Sequence, residues 1–108
     1  MNIKALKIGA HRYAIDRDAV ALSDDEEWAK HDARRRTLRI ETRERPGSAV
    51  VEDMLHEIMH AMFLDSGVDL PEKVEERVCT VLAPRLAAFL ADNEGAVHEL
   101  LDMLTARK

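Results

Sequence analysis

Two histidines and a glutamate form the most informative chemical pattern in this chain. His56 and His60 are four residues apart, and Glu57 directly follows the first histidine. On a helix, positions i and i+4 share one face, so both imidazoles can reach a single metal ion. A glutamate beside them is close enough to contact a metal-bound water. The spacing therefore predicts hydrolytic metal chemistry carried by a helix.

A third metal ligand is expected further along the chain, because catalytic zinc usually takes three protein ligands and leaves one position for water. The candidates are Glu72, Glu75 and Glu76. Glu75 precedes Cys79 by four residues and Leu82 by seven, which places it on a predicted apolar face where an unpaired carboxylate is costly. A metal would remove that cost, so we expect Glu75 to be the ligand. A carboxylate at the edge of the face that reaches water is the alternative. Glu76, about 100° further round the helix, is predicted to face solvent.

Length and charge limit the function classes. A chain of 108 residues fits one domain that folds around a single core without disulfides. Its net charge of -5 disfavours nucleic-acid and anionic-membrane binding, both of which need a basic field. The arginine run at 34–36 is interpreted as the approach to a strand with one solvated face, because Leu38 and Ile40 alternate with Arg39 and Glu41.

The single cysteine, Cys79, cannot form an internal disulfide and is expected to be a small buried thiol. The first seven residues lack the apolar region of a secretory signal, and no stretch is apolar enough to cross a bilayer. These features predict a cytoplasmic protein with no membrane partner.

The remaining sequence predicts an α+β fold in which a small, mostly antiparallel sheet precedes three helices. Strands are expected at 3–8, at 12–15 around a turn at Gly9, and near 37–42, with an acidic turn or short helix at 24–28. The first helix is expected to start at an N-cap, Ser48, and to end near Asp65, before Ser66 and Gly67.

The second helix is expected to open with a capping box formed by Asp69 and Glu72, and to run to about residue 90. Pro84 should kink this helix without breaking it, since the apolar pattern continues across the proline. A third, apolar helix is expected at 96–106, docked near the pair that carries the metal.

The pattern resembles the gluzincin zinc metallopeptidases, in which the HExxH helix is followed by a helix that carries a glutamate ligand. The likeness is greatest to the very small members found in archaea and prophages, called minigluzincins. It covers roughly a third of the chain, in the stretches 54–60, 75–79, 82–84 and 92–93. The resemblance implies that His56, His60 and Glu75 bind one zinc ion and that Glu57 is the catalytic acid and base.

One position departs from this pattern: larger gluzincins often carry an aspartate where this chain has Cys79. Other zincin types fit less well. A metzincin needs glycine at Phe63 and histidine at Ser66. An aspzincin could use Asp65 or Asp69 as its ligand, but its Gly-Thr signature is missing.

The sequence therefore predicts a zinc metallopeptidase that hydrolyses peptide bonds, with Glu57 as general base. A catalytically silent or latent zincin-fold module for regulation or interaction is the alternative. Latency would follow if His98 or Glu99 of the third helix reached the fourth position of the zinc. The oxyanion donor stays open among Tyr13, His31, Arg85 and His98.

Overall fold

The structure is a computed structural model that describes residues 2–17, 29–42 and 45–106, with residues 29–31 described by their backbone alone. Four strands in these ranges form one sheet: β1 (Ala5–Ile8), β2 (His11–Asp16), β3 (Ala29–Asp32) and β4 (Thr37–Ile40). Three helices follow: α1 (Gly47–Ser66), α2 (Glu72–Asp92) and α3 (Glu94–Thr105). The predicted α+β order is confirmed.

The sheet has the strand order β1-β2-β4-β3. β1 and β2 form an antiparallel hairpin whose turn contains Gly9 at φ +60°, a conformation that suits glycine. β3 and β4 are also antiparallel, whereas β2 and β4 pair in parallel with Ala14 opposite Thr37. The predicted mostly antiparallel sheet is confirmed, but β3 was not predicted. The acidic segment at 24–28 lies outside the described residues.

The first helix, α1, begins one residue earlier than its predicted cap. Pro46 is the N-cap and makes no side-chain hydrogen bond to the helix, so the prediction that Ser48 caps α1 is wrong. Proline fixes φ near the helical value, so it orients the chain for the first turn without a side-chain cap. At the other end Gly67 adopts φ +74° and its amide donates to the carbonyl of Leu64, which confirms the predicted stop.

The capping box predicted for α2 is also wrong, because Asp69 lies before the N-cap position and not at it. The N-cap is Pro71, whose carbonyl accepts hydrogen bonds from the amides of Val74 and Glu75, with no side-chain cap. α2 continues through Pro84 to Asp92 as one helix, so the predicted continuity is confirmed.

The core lies between the sheet and α1. Its buried residues form two neighbouring groups: Ile8, Tyr13, Leu38 and Ala61, and then Ile40, Val50 and Met54. Leu6, Ile15 and Ile58 pack against both groups and join them. These contacts hold α1 across the sheet. α2 packs along α1 and buries Cys79 and Ala83.

The third helix, α3, protrudes from this body. Its contacts within the described chain are made chiefly with α2, and Val97 is its one partly buried residue. The radius of gyration is 14.6 Å, against about 13 Å for a compact domain of this length. The expectation that α3 docks near the metal-bearing pair is therefore wrong. Among the described helices, none combines the length and apolar character needed to span a membrane.

Candidate metal centre

Helix α1 presents the HExxH residues on two different faces. Glu57 shares the core-facing row with Val50, Met54 and Ala61, and it is only 9% exposed. His56 and His60 are half-buried and face α2. One residue of offset on a helix is about 100°, so the glutamate lies beneath the histidines, toward the sheet.

The two imidazoles meet one carboxylate oxygen from α2. Nε2 of His56 and Nε2 of His60 are 3.2 Å apart, and Oε1 of Glu76 lies 2.9 Å from the first and 2.7 Å from the second. Within the described residues, these three side chains form the group of ligand-type atoms that are mutually close enough to hold a metal ion.

Glu75, the ligand predicted from the sequence, contacts Nδ1 of His60, the ring nitrogen that does not face Glu76. Its Oε2 accepts a hydrogen bond from Nδ1 of His60 at 2.5 Å. A neutral imidazole that donates from Nδ1 keeps the lone pair of Nε2 free for a metal. The structure thus brings Glu75 to the site, but behind the histidine instead of beside its ligating nitrogen.

Glu75 and Glu76 both border the buried face of α2. The sequence placed the contact face on Cys79 and Leu82, but Leu82 is exposed and the buried residues are Cys79 and Ala83. Glu75 precedes Cys79 by four residues and Glu76 precedes Ala83 by seven, so both carboxylates reach the histidine pair. The side chain of Glu75 is 25% exposed and that of Glu76 is 56% exposed, in line with the prediction that Glu76 faces solvent. The small side chains of Cys79 and Ala83 allow the two helices to approach closely.

Charges in the cluster shift the pKa values of its members. Burial raises the pKa of Glu57, although the nearby His56 and His60 oppose that shift. Burial alone would lower the pKa of His60, but its hydrogen bonds to Glu75 and Glu76 outweigh that effect and raise it. Burial would likewise raise the pKa of Glu76, but its hydrogen bonds from both histidines outweigh burial and lower it. The cluster therefore favours an ionised Glu76 beside the imidazoles.

The donor set and its spacing fit a zinc ion. Two imidazole nitrogens with one carboxylate oxygen are a common catalytic zinc set, and in tetrahedral geometry two ligand atoms lie roughly 3.3–3.5 Å apart. The atoms contributed by His56, His60 and Glu76 are 2.7–3.2 Å apart. The gaps are a few tenths of an ångström short of a tetrahedral zinc site, so small side-chain rotations would be needed to admit the ion.

Two further α2 residues lie against the cluster. Thr80, four residues after Glu76, directs its Oγ1 toward Oε2 of that glutamate at 3.4 Å. Cys79 is fully buried, as expected, and burial together with the carboxylates of Glu75 and Glu76 raises the pKa of its thiol to about 11. The thiol is therefore protonated and inert, whereas the Thr80 hydroxyl orients a candidate ligand.

An open groove of about 610 Å³ runs beside Glu76 on the outer side of α2. Its lining residues are Glu72, Lys73, Glu76, Arg77, Thr80 and Val81. Lys73 and Arg77 were not predicted as donors from the sequence. The only sequence signal for them was their position near Glu76: Lys73 lies about one turn before it, and Arg77 follows it directly.

The oxyanion donors proposed from the sequence are dispersed in the structure. Tyr13 is buried in the core under α1, and His98 lies on exposed α3 near Glu94. Arg85 donates to the carbonyl of Val81 one turn earlier in α2. The side chain of His31 lies outside the described part of the chain.

The alternative aspartate ligands lie away from the histidines. An oxygen of Asp65 accepts a hydrogen bond from the amide of Ala10 at 3.4 Å, which ties the end of α1 to the β1–β2 turn. Asp69 is exposed in the connection between α1 and α2. Neither belongs to the group of ligand-type atoms described above.

No family model matches this chain, and neither a curated protein nor a solved structure matches it at a significant level. The likeness to gluzincins therefore rests on the residues alone.

Proposed function

We propose that this protein is a zinc-dependent metallopeptidase in which His56, His60 and Glu76 hold one zinc ion. The observation that carries the proposal is the meeting of two imidazole Nε2 atoms and one carboxylate oxygen within 3.2 Å, above a buried glutamate. The sequence resemblance to gluzincins supports the same reaction. The prediction that Glu75 is the third ligand stays untested, but the geometry favours Glu76, one residue later.

The residues around the proposed zinc site have distinct roles. When bound, zinc would polarise the carbonyl of the substrate and lower the pKa of a water toward ~7. Glu57 would accept a proton from the attacking water and return it to the leaving amine, and the raised pKa of its buried carboxyl suits both transfers. Glu75 keeps the ring of His60 in the orientation and tautomer that present Nε2.

The substrate class follows from the reaction and from the groove. A peptide or protein segment is the proposed substrate, because the proposed reaction cleaves peptide bonds and an open groove lies beside Glu76. Lys73 and Arg77 line that groove and are the proposed donors to negative charge that develops on the substrate. The lone buried Cys79 supports the proposal of a cytoplasmic location.

One observation favours the alternative of a catalytically silent module. Among the described residues, the groove beside Glu76 is lined by α2 alone, so a second wall is not part of what the structure describes. A silent site has no need of a buried general base, however, and a structural zinc site is usually closed by four protein ligands. Glu57 therefore favours the enzyme.

Zinc content and peptidase activity test the proposal together. We expect about one zinc per chain by elemental measurement, and hydrolysis of an unfolded protein such as denatured casein by the zinc-loaded protein. Glu57→Gln should keep the zinc and lose at least ~10²-fold of the hydrolysis rate, because it removes the base and keeps the size. Glu52→Gln, on the same helix and outside the cluster, is the matched control and should remain active.

Undiminished turnover by Glu57→Gln would refute the assigned role of this glutamate. A zinc-loaded wild-type protein that hydrolyses nothing would establish the silent module instead. A chain that takes up no zinc would overturn the metallopeptidase and leave the silent module.

A further inference from the structure

Helix α3 carries an apolar face that no part of the described chain covers. Leu100, Leu101 and Leu104 follow the i, i+1, i+4 spacing of one helical face, and Met103 borders it. These four side chains are between 49% and 79% exposed. A soluble domain usually buries such a face against another element, so its exposure indicates a missing partner.

The end of α2 carries further exposed apolar side chains. Leu86, Phe89 and Leu90 lie in the last two turns of α2, next to the junction with α3, and are 36–50% exposed. We call these three residues and the four on α3 the C-terminal apolar surface. Together they leave roughly 500 Å² of apolar area open, taking ~130 Å² for a fully exposed large side chain.

This area matches one side of a stable protein dimer. A standard interface buries about 800 Å² per partner, of which about 60% is apolar, so it needs close to 480 Å² of apolar surface. Two copies that meet through the same surface form a closed two-fold pair, which leaves neither copy with an open apolar face. The protrusion of α3 from the body makes this surface accessible to a second copy.

The charges on α3 select against a membrane. Its opposite face carries Glu99 and Asp102, with His98 at the border; Glu94, near His98 at 3.8 Å, lies two turns before Leu101 on the same side, at the start of α3. Helices that bind anionic lipid surfaces carry lysine and arginine on the polar face, and carboxylates there are repelled. Glu99 and Asp102 lie away from the three leucines, so they do not oppose the approach of an identical apolar face.

We propose that the C-terminal apolar surface is the interface of a homodimer, in which α3 of one copy packs against α3 of a second copy. The inference is independent of the proposed peptidase activity, because the interface lies at the end of α2 away from Glu76. Dimerisation would bury the large side chains of α3 and leave both metal centres free.

Light scattering coupled to size-exclusion chromatography tests this proposal on the full chain. We expect twice the chain mass at micromolar concentration for the wild type. Leu101→Glu should shift the protein to the single-chain mass and raise the dimer dissociation constant by at least ~10²-fold, because two carboxylates would enter the interface. His98→Glu adds the same charge at the border of the polar face of α3 and should remain dimeric.

Leu104→Glu serves as the second interface variant, because this side chain is 79% exposed and contributes little to the fold of one copy. It should also give the single-chain mass, with an unchanged helical circular dichroism signal. A wild type of single-chain mass, or a Leu104→Glu protein that stays dimeric, would overturn the proposal. Sedimentation of a monomeric wild type with phosphatidylcholine vesicles would assign the surface to lipid instead.

Discussion

The two ends of helix α2 differ in how they place polar and apolar side chains. Near its start, Glu75 and Glu76 bring carboxylates to a half-buried histidine pair. Near its end, Phe89 and Leu90 are exposed, next to the junction with α3. Polar groups are brought together at one end, and apolar groups are left in solvent at the other.

Both arrangements cost free energy in an isolated chain, so each indicates a missing partner of matching chemistry. Two carboxylates crowded against a half-buried imidazole pair are stabilised by a cation, whereas an exposed apolar face is stabilised by another apolar face. One end of α2 is therefore the proposed metal-binding end, and the other is the proposed self-association end. The two ends should therefore respond to different perturbations.

Removal of zinc is expected to have the largest effect, a loss of folding stability. It should act only through the proposed metal-binding end of α2. A ligand present at a thousand times its dissociation constant stabilises the folded state by about 4 kcal/mol. We therefore expect the free energy of unfolding to fall by about that amount when a chelator removes zinc, as measured by urea denaturation. Equal unfolding curves with zinc and with chelator would contradict a zinc site built by folding.

The thiol of Cys79 gives the next largest effect, because it lies in the same packed region. Its pKa of about 11, against an ordinary 9.0, leaves about 10²-fold less thiolate at pH 8. We expect alkylation of the folded protein by iodoacetamide to be slower than alkylation of the unfolded protein by at least that factor. Similar rates in the two states would show that α1 and α2 are not packed together at this position.

Truncation after Asn93 is expected to produce the smallest effect on the metal centre. Because α3 contacts chiefly α2, its removal should leave zinc content unchanged and peptidase activity within about twofold, while it abolishes dimerisation. A latent enzyme held inactive by His98 or Glu99 would instead gain activity on truncation. A truncated protein that unfolds or loses zinc would show that α3 completes the core.

Local sequence signals predicted those parts of the fold that depend on neighbouring residues. The glycine at residue 67 located the end of α1, because a helix stop signal acts within the last turn. The predicted side-chain caps at Ser48 and Asp69 were wrong, since prolines at 46 and 71 position both helix starts.

Features that depend on long-range pairing were not available from local patterns. β3 is a four-residue strand recognised by its pairing with β4, and the parallel pairing of β2 with β4 joins segments about twenty residues apart. The choice between Glu75 and Glu76 has the same origin, because the packing of α2 on α1 decides which histidine nitrogen each of the two adjacent carboxylates meets.

The zinc affinity of two adjacent alanine variants tests the central claim most directly. Competition with a chromophoric chelator should show that Glu76→Ala loses more affinity than any other single change in α2, because it removes a ligand. Glu75→Ala should lose only about 10- to 100-fold, the usual effect of removing the partner that orients a ligating histidine. A Glu75→Ala protein that loses its zinc while Glu76→Ala keeps it would contradict the account and restore Glu75 as the ligand.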